Sequence, residues 1–143
     1  MGDIHLDQIN IVVSDMEASA AFYARVGLQI GDGGPQWNPH HRDAPTGGAD
    51  VDLDSSAFAA VWNQGWPGGG GIVLSFRLPT RDAVDEVYGR LRADGHPGQQ
   101  EPYDAFWGAR FAVVADPDGN AVGLMSPADP AFRSPGPPPP RPA

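Results

Sequence analysis

Apolar and polar positions alternate from Leu6 to Val13, with Ile9, Ile11 and Val13 on one side and Gln8, Asn10 and Ser14 on the other. A period of two predicts a strand with one apolar and one mixed face. The period then changes. Met16, Ala20, Tyr23 and Val26 recur at helical spacing beside Phe22, and Ser14 or Asp15 stands where an N-cap belongs. Gly27 closes this predicted helix, and Leu28–Ile30 reads as a short strand. Gly31–Gly48, rich in Gly, Pro, Asn and His, reads as a long loop, a kind of segment that often carries function. Two further strand-like runs follow, Val51–Asp54 and Phe58–Asn63.

Beyond the Gly-rich stretch Gly65–Gly71, which reads as a flexible linker, the pattern restarts. Ile72, Leu74, Phe76 and Leu78 share one face of a strand, opposite Val73, Ser75 and Arg77. Thr80 caps a helix running to about Asp94, with Ala83, Val84, Val87, Tyr88 and Leu91 as its apolar stripe and Gly95 at its C-terminal end. Gln99–Tyr103, Arg110–Ala115 and Ala121–Met125 read as strands. Between the last two, Asp116-Pro117-Asp118-Gly119-Asn120 is turn chemistry. Pro presets φ, Gly tolerates positive φ, and the acid and amide side chains satisfy their own backbone.

Strand, helix and three strands thus occur twice, offset by about 65 residues. The predicted fold is α+β: two tandem βαβββ modules whose curved sheets surround a shared cleft. Residues 1–64 form the first module, 65–71 the linker and 72–127 the second module. Residues 128–143, with Pro135 and the run Pro137–Pro140, are expected to be a disordered tail, because such a segment cannot build a core. Ligands favour module interfaces of this kind.

Composition removes several alternatives. The chain of 143 residues has no cysteine, so neither a disulfide framework nor a thiolate metal site is available. That agrees with a reducing, cytoplasmic setting. No basic segment followed by an apolar run opens the chain, so no signal peptide is expected. No apolar stretch approaches the ~20 residues that span a bilayer. A formal charge of −9 argues against nucleic acid as a partner and favours cationic ligands through the long-range field.

The opening strand, Asp15, Phe22-Tyr23 and Gly27-Leu28 resemble the first module of the vicinal oxygen chelate superfamily, which includes glyoxalases, extradiol dioxygenases and bleomycin-resistance proteins. The duplicated βαβββ order, Trp107-Gly108 and the Asp116–Asn120 pentapeptide extend the resemblance over about Ile4 to Pro127. In the metalloenzymes of that family each module supplies two metal ligands, one from its first strand and one from its last. The resemblance places those positions at Gln8, Ala60, Val73 and Gly123. Only Gln8 carries a donor, and one neutral amide does not hold a divalent ion against water. No metal or other cofactor is therefore expected. His40 and His41, adjacent in the loop near Asp43, do not make good the loss, and His5 and His96 read as surface residues.

Strand parity brings Gln8, Asn10, Phe58, Trp62, Ser75, Arg77 and Met125 to the cleft side, with loop residues Trp37, Trp66, Tyr103, Phe106 and Trp107 at the rim. Aromatic faces stack planar guests, and Gln8, Asn10, Ser75 and Arg77 supply hydrogen bonds to orient them. The expected function is metal-independent binding of an aromatic or antibiotic-like molecule, as in the bleomycin-resistance branch, by a homodimer. The rival is a glyoxalase-type lyase, isomerase or dioxygenase, with a metal-free enzyme using Asp104, Tyr103 or His41 as a further variant.

Overall fold

The computed structural model describes residues 4–69 and 71–140; the outermost residues of the first module and of the tail, and Gly70 of the linker, lie outside it. Strand β1 (His5–Val13) leads into helix α1 (Met16–Val26), then β2 (His41–Ala44), β3 (Asp50–Ser55) and α2 (Ser56–Trp62). The second module runs β4 (Gly71–Arg77), α3 (Arg81–Ala93), β5 (Gly98–Asp104), β6 (Arg110–Ala115) and β7 (Ala121–Met125). All seven strands belong to one curved, unclosed sheet in the order β2-β3-β1-β4-β7-β6-β5.

Each module has the same internal plan. Its first strand pairs in parallel with its last, β1 with β3 and β4 with β7. The modules join where β1 and β4 run antiparallel. Both long helices begin at the predicted caps: Asp15 accepts from the Ala18 amide and Thr80 from the Ala83 amide. The outer face of the sheet carries two helix-covered cores. Met16 and Ala20 of α1 pack on Leu53, and Val84 and Tyr88 of α3 pack on Ala112, Val114 and Leu124. The inner face carries the third core, which includes Val12, Val73, Phe111, Val113 and Met125 and is roofed by Phe58, Ala59 and Trp62 of α2.

Several local expectations change. Phe58–Asn63, read as a strand, is helix α2 and its C-cap: Ser55 accepts from the Phe58 amide, and Phe58, Ala59 and Trp62 turn to one buried face. A short apolar run fits either period, and the cap decides it here. The long loop contains β2, whereas Leu28–Ile30 forms no strand. Phe22 and Val26 are exposed, so α1 buries a narrower face than its spacing suggests.

The tail also departs from expectation. Residues 128–137 lie along the second module: the Asp129 amide donates to the Gly108 carbonyl and the Ser134 amide to the Phe106 carbonyl, both at 3.0 Å. The Arg81 guanidinium sits 3.8 Å from the centre of the Phe132 ring, a cation–π contact. Among the described residues no helix is long and apolar enough to cross a membrane.

Candidate functional site

Parity builds the site. On β1 the even residues Gln8 and Asn10 face inward, and parallel pairing sets Asp52 of β3 beside Asn10 and Asp54 beside Val12. Antiparallel pairing with β2 adds His41 opposite Asp54 and Asp43 opposite Asp52. Three strands of the first module therefore present a polar wall. Together with Phe58, Trp62 and Trp37 of the same half and Phe106, Trp107, Phe111 and Met125 of the second, it lines a cavity of about 450 Å³, with Asp32 and Gly33 at its rim.

A hydrogen-bond chain fixes the polar wall. Gln8 Nε2 donates to Asn10 Oδ1 at 3.0 Å, and Asn10 Nδ2 donates to Asp54 Oδ2 at 2.8 Å. His41 Nδ1 lies 2.6 Å from Asp54 Oδ1. Ser75 Oγ reaches Asn10 Oδ1 from beneath at 3.3 Å. Asp54 is 1 % exposed, and both its oxygens are matched by donors. Burial pulls the His41 pKa down, but the hydrogen bond and charge of Asp54, with Asp52 and Asp43, raise it on balance. Asp52 makes no side-chain hydrogen bond among the described residues. Burial, with some offset from His41 and a further push from Asp54, Asp43 and Asp50, raises its pKa to about 7.

The opposite wall is a run of rings in contact. Trp37 meets Phe58 edge-on at 5.1 Å and stacks on Phe106 at 6.3 Å between ring centres. Phe106 meets Trp107 edge-on at 5.2 Å, and Trp107 meets Phe111 at 5.5 Å. The indole N–H of Trp107 donates toward the Met125 sulfur at 3.3 Å, which orients the ring.

Of the residues that the sequence proposed, Gln8, Asn10, Trp37, Phe58, Trp62, Phe106, Trp107 and Met125 line this cavity. Four do not. Ser75 is 1 % exposed and lies under Asn10 as a support. Arg77 has inward parity but sits at the end of β4, exposed and 3.7 Å from Asp7. Trp66 packs against the inner core from outside the cavity. Tyr103 donates to the Trp62 carbonyl and lines a neighbouring hollow with Val61 and Ser134–Pro137, and burial raises its pKa. Sequence reasoning missed Asp52, Asp54, Asp43, Asp32 and Phe111. Asp50-Val51-Asp52-Leu53-Asp54 alternates as strictly as β1 does, and its polar side carried the signal.

The profile of the Glyoxalase/Bleomycin resistance protein/Dioxygenase superfamily matches residues 5–124. The chain belongs to that superfamily. Solved structures similar to it include the Mn(II)-bound glyoxalase of Novosphingobium aromaticivorans, at 19% identity and a TM-score of 0.62 over 85% of this chain and 38% of that one. A superfamily member from Vibrio splendidus aligns at 16% identity and TM-score 0.59, covering 87% of this chain and 97% of the other. Methylmalonyl-CoA epimerase of Mycobacterium tuberculosis aligns at 20% and 0.55, covering 87% and 89%. At these identities the likeness concerns the fold. This chain spans well under half of the glyoxalase chain. No sufficiently similar sequence is found among functionally curated proteins.

Strand register tests whether this superfamily member has the donors for a metal. Gln8 and Val73 lie equally far before their helix caps, Asp15 and Thr80, so Asn10 and Ser75 are counterparts one step further on. Asn10 is paired with Asp52 and Ser75 with Gly123. Asp52, and not Ala60, is therefore the first-module counterpart of Gly123; Ala60 lies exposed on α2. In the second module Val73 is 2 % exposed and has no donor. A Cβ on Gly123 would stand 2.5 Å from Ser75 Oγ and 3.2 Å from Phe111 Cε1, so Ser75 and Phe111 would have to shift to admit a carboxylate. Among the described residues no three His, Cys, Asp or Glu side chains are grouped to hold an ion. The residues present do not fit the superfamily's four-ligand metal site.

Proposed function

We propose that the chain is a metal-independent binding protein that takes a small planar aromatic molecule, of the antibiotic-like kind, into the cavity between its modules and sequesters it unchanged. One observation carries this reading. The run of rings from Phe58 through Trp37, Phe106 and Trp107 to Phe111 faces a cavity of about 450 Å³, a size suited to a drug-sized guest. Each good ring pairing adds about 0.5–1.5 kcal/mol beyond area burial. The packing around Gly123 supports the metal-independent part, because the second module offers no donor there. A homodimer is the assembly proposed with it, and sedimentation checks that separately.

Titration with a panel of aromatic natural products, read by tryptophan quenching, tests the binding, and mass spectrometry of the recovered guest tests sequestration. Saturable binding with the guest recovered intact is the expected result. A guest recovered chemically altered, or stoichiometric iron, manganese, nickel or zinc in protein purified without chelator, overturns the reading in favour of a glyoxalase-type enzyme.

A further inference from the structure

The carboxylates lining the cavity differ in what answers them. Asp54 is matched by His41 and Asn10. Asp32 accepts from Asn38 Nδ2 and the Gly34 amide. Asp43 is exposed to water. Asp52 has none of these: it is 7 % exposed, lines the cavity, and has no hydrogen-bond partner among the described residues. The chain has no lysine, and no arginine is among the described residues lining the cavity. The one basic group there, His41, has its Nδ1 committed to Asp54. Its carboxyl therefore faces the cavity with no protein partner, a position that a cationic group on a guest would fill.

The surroundings favour a cation. Tryptophan and phenylalanine faces attract positive charge through their ring quadrupoles, and Trp37, Phe58 and Trp107 line the same cavity as Asp52. The neighbouring carboxylate Asp43 adds a negative field, and His41 answers Asp54 by direct contact and not Asp52. Register gives the position a further meaning: the family resemblance implies a last-strand ligand at Gly123, which offers nothing, and Asp52 is the first-module counterpart of that position.

We propose that the guest carries a positive charge, an amine or ammonium attached to its aromatic frame, and that the Asp52 carboxylate is its counter-ion. The guest's cation sits beside Asp52, while its ring lies along the run of rings from Phe58 through Trp37 and Phe106 to Trp107. This assignment rests on the binding function proposed above and names the chemical class of the guest.

The test uses two probes of nearly equal shape, 1-naphthylmethylamine, cationic at pH 8, and neutral 1-naphthalenemethanol. Both are titrated into the full chain and into Asp52→Asn with tryptophan quenching as readout. The wild type is expected to bind the amine about tenfold or more tightly than the alcohol. In Asp52→Asn that preference collapses to near unity while alcohol binding persists, which also shows the variant folded. Equal affinity of wild type for both probes overturns the cationic assignment and leaves aromatic binding standing. A preference that survives in Asp52→Asn overturns the role of Asp52. Failure of both probes to bind overturns the binding function itself, and this inference with it.

Discussion

The two modules share one plan and have divided the work of the cavity between them. Their first strands, caps and last strands correspond position by position, yet the inward side of the first reads Gln8, Asn10, Asp52, Asp54 and that of the second Val73, Ser75, Gly123, Met125. The first half supplies the charge and hydrogen bonds together with the rings of Trp37, Phe58 and Trp62, whereas the second supplies only rings and Met125 and crowds the space where a donor would stand. Duplication supplies matched positions, and local packing decides what each can still do. Gly123 illustrates the point: Ser75 and Phe111 crowd the position and must shift before any side chain can stand there.

The hardest way to break the comparison is to remove the second module's central ring. Phe111 is 3 % exposed and touches Trp62, Tyr103 and Trp107 edge-on. Phe111→Ala is expected to cost about 3–5 kcal/mol in urea unfolding. Restoring a carboxylate by Gly123→Glu is expected to cost somewhat less, about 1–3 kcal/mol from overpacking, without stoichiometric metal uptake in elemental analysis. Metal bound in that variant would show that the two modules remain interchangeable.

Breaking the first module's network has a comparable but distinct signature. Asn10→Ala strips Asp54 Oδ2 of its donor, with an expected loss of about 1–3 kcal/mol and an altered His41 titration by NMR. Asp52 acts through pH. It is faced by His41 and Asp43 from β2, by Asn10 and Gln8 from β1, and by Asp50 and Asp54 along its own strand. Its folded-state pKa of about 7 lies above the ordinary 3.8, so its favourable contribution is complete below about pH 4 and lost as pH rises to 7. The wild type should therefore lose ground to Asp52→Asn as pH climbs, leaving the variant the more stable protein at pH 8. Urea midpoints at pH 5 and pH 8 measure this. The smallest effect is expected at Arg77. Its exposed pairing with Asp7 is worth well under about 1 kcal/mol, and Arg77→Ala should leave both stability and probe binding unchanged.

What is legible in the chain follows the range of the interactions involved. Alternation along β1 and β4, the caps Asp15 and Thr80, and the Asp116–Asn120 hairpin are local, and the order of residues alone carries each of them. The same holds for most of the cavity's rings. Helix α2 is different, because Phe58–Asn63 satisfies two periods and the cap in which the Phe58 amide donates to Ser55 Oγ separates them. That one misreading displaces the first module's ligand position to Ala60, since counting along the chain passes beyond the strand that carries Asp52. Arg77 shows the converse limit: parity gives the direction of a side chain but not how far along the strand the cavity extends.

Strand β2 ends the sheet on one side, is four residues long and, among the described residues, pairs with β3 alone. It nevertheless carries His41 and Asp43. Half of the charged wall is thus mounted on an edge strand, where local opening costs least. A guest held there closes a gap in cooperativity as well as in charge. Amide hydrogen exchange along His41–Ala44 is accordingly where occupancy should register first, ahead of any change in the central strands β4 and β7.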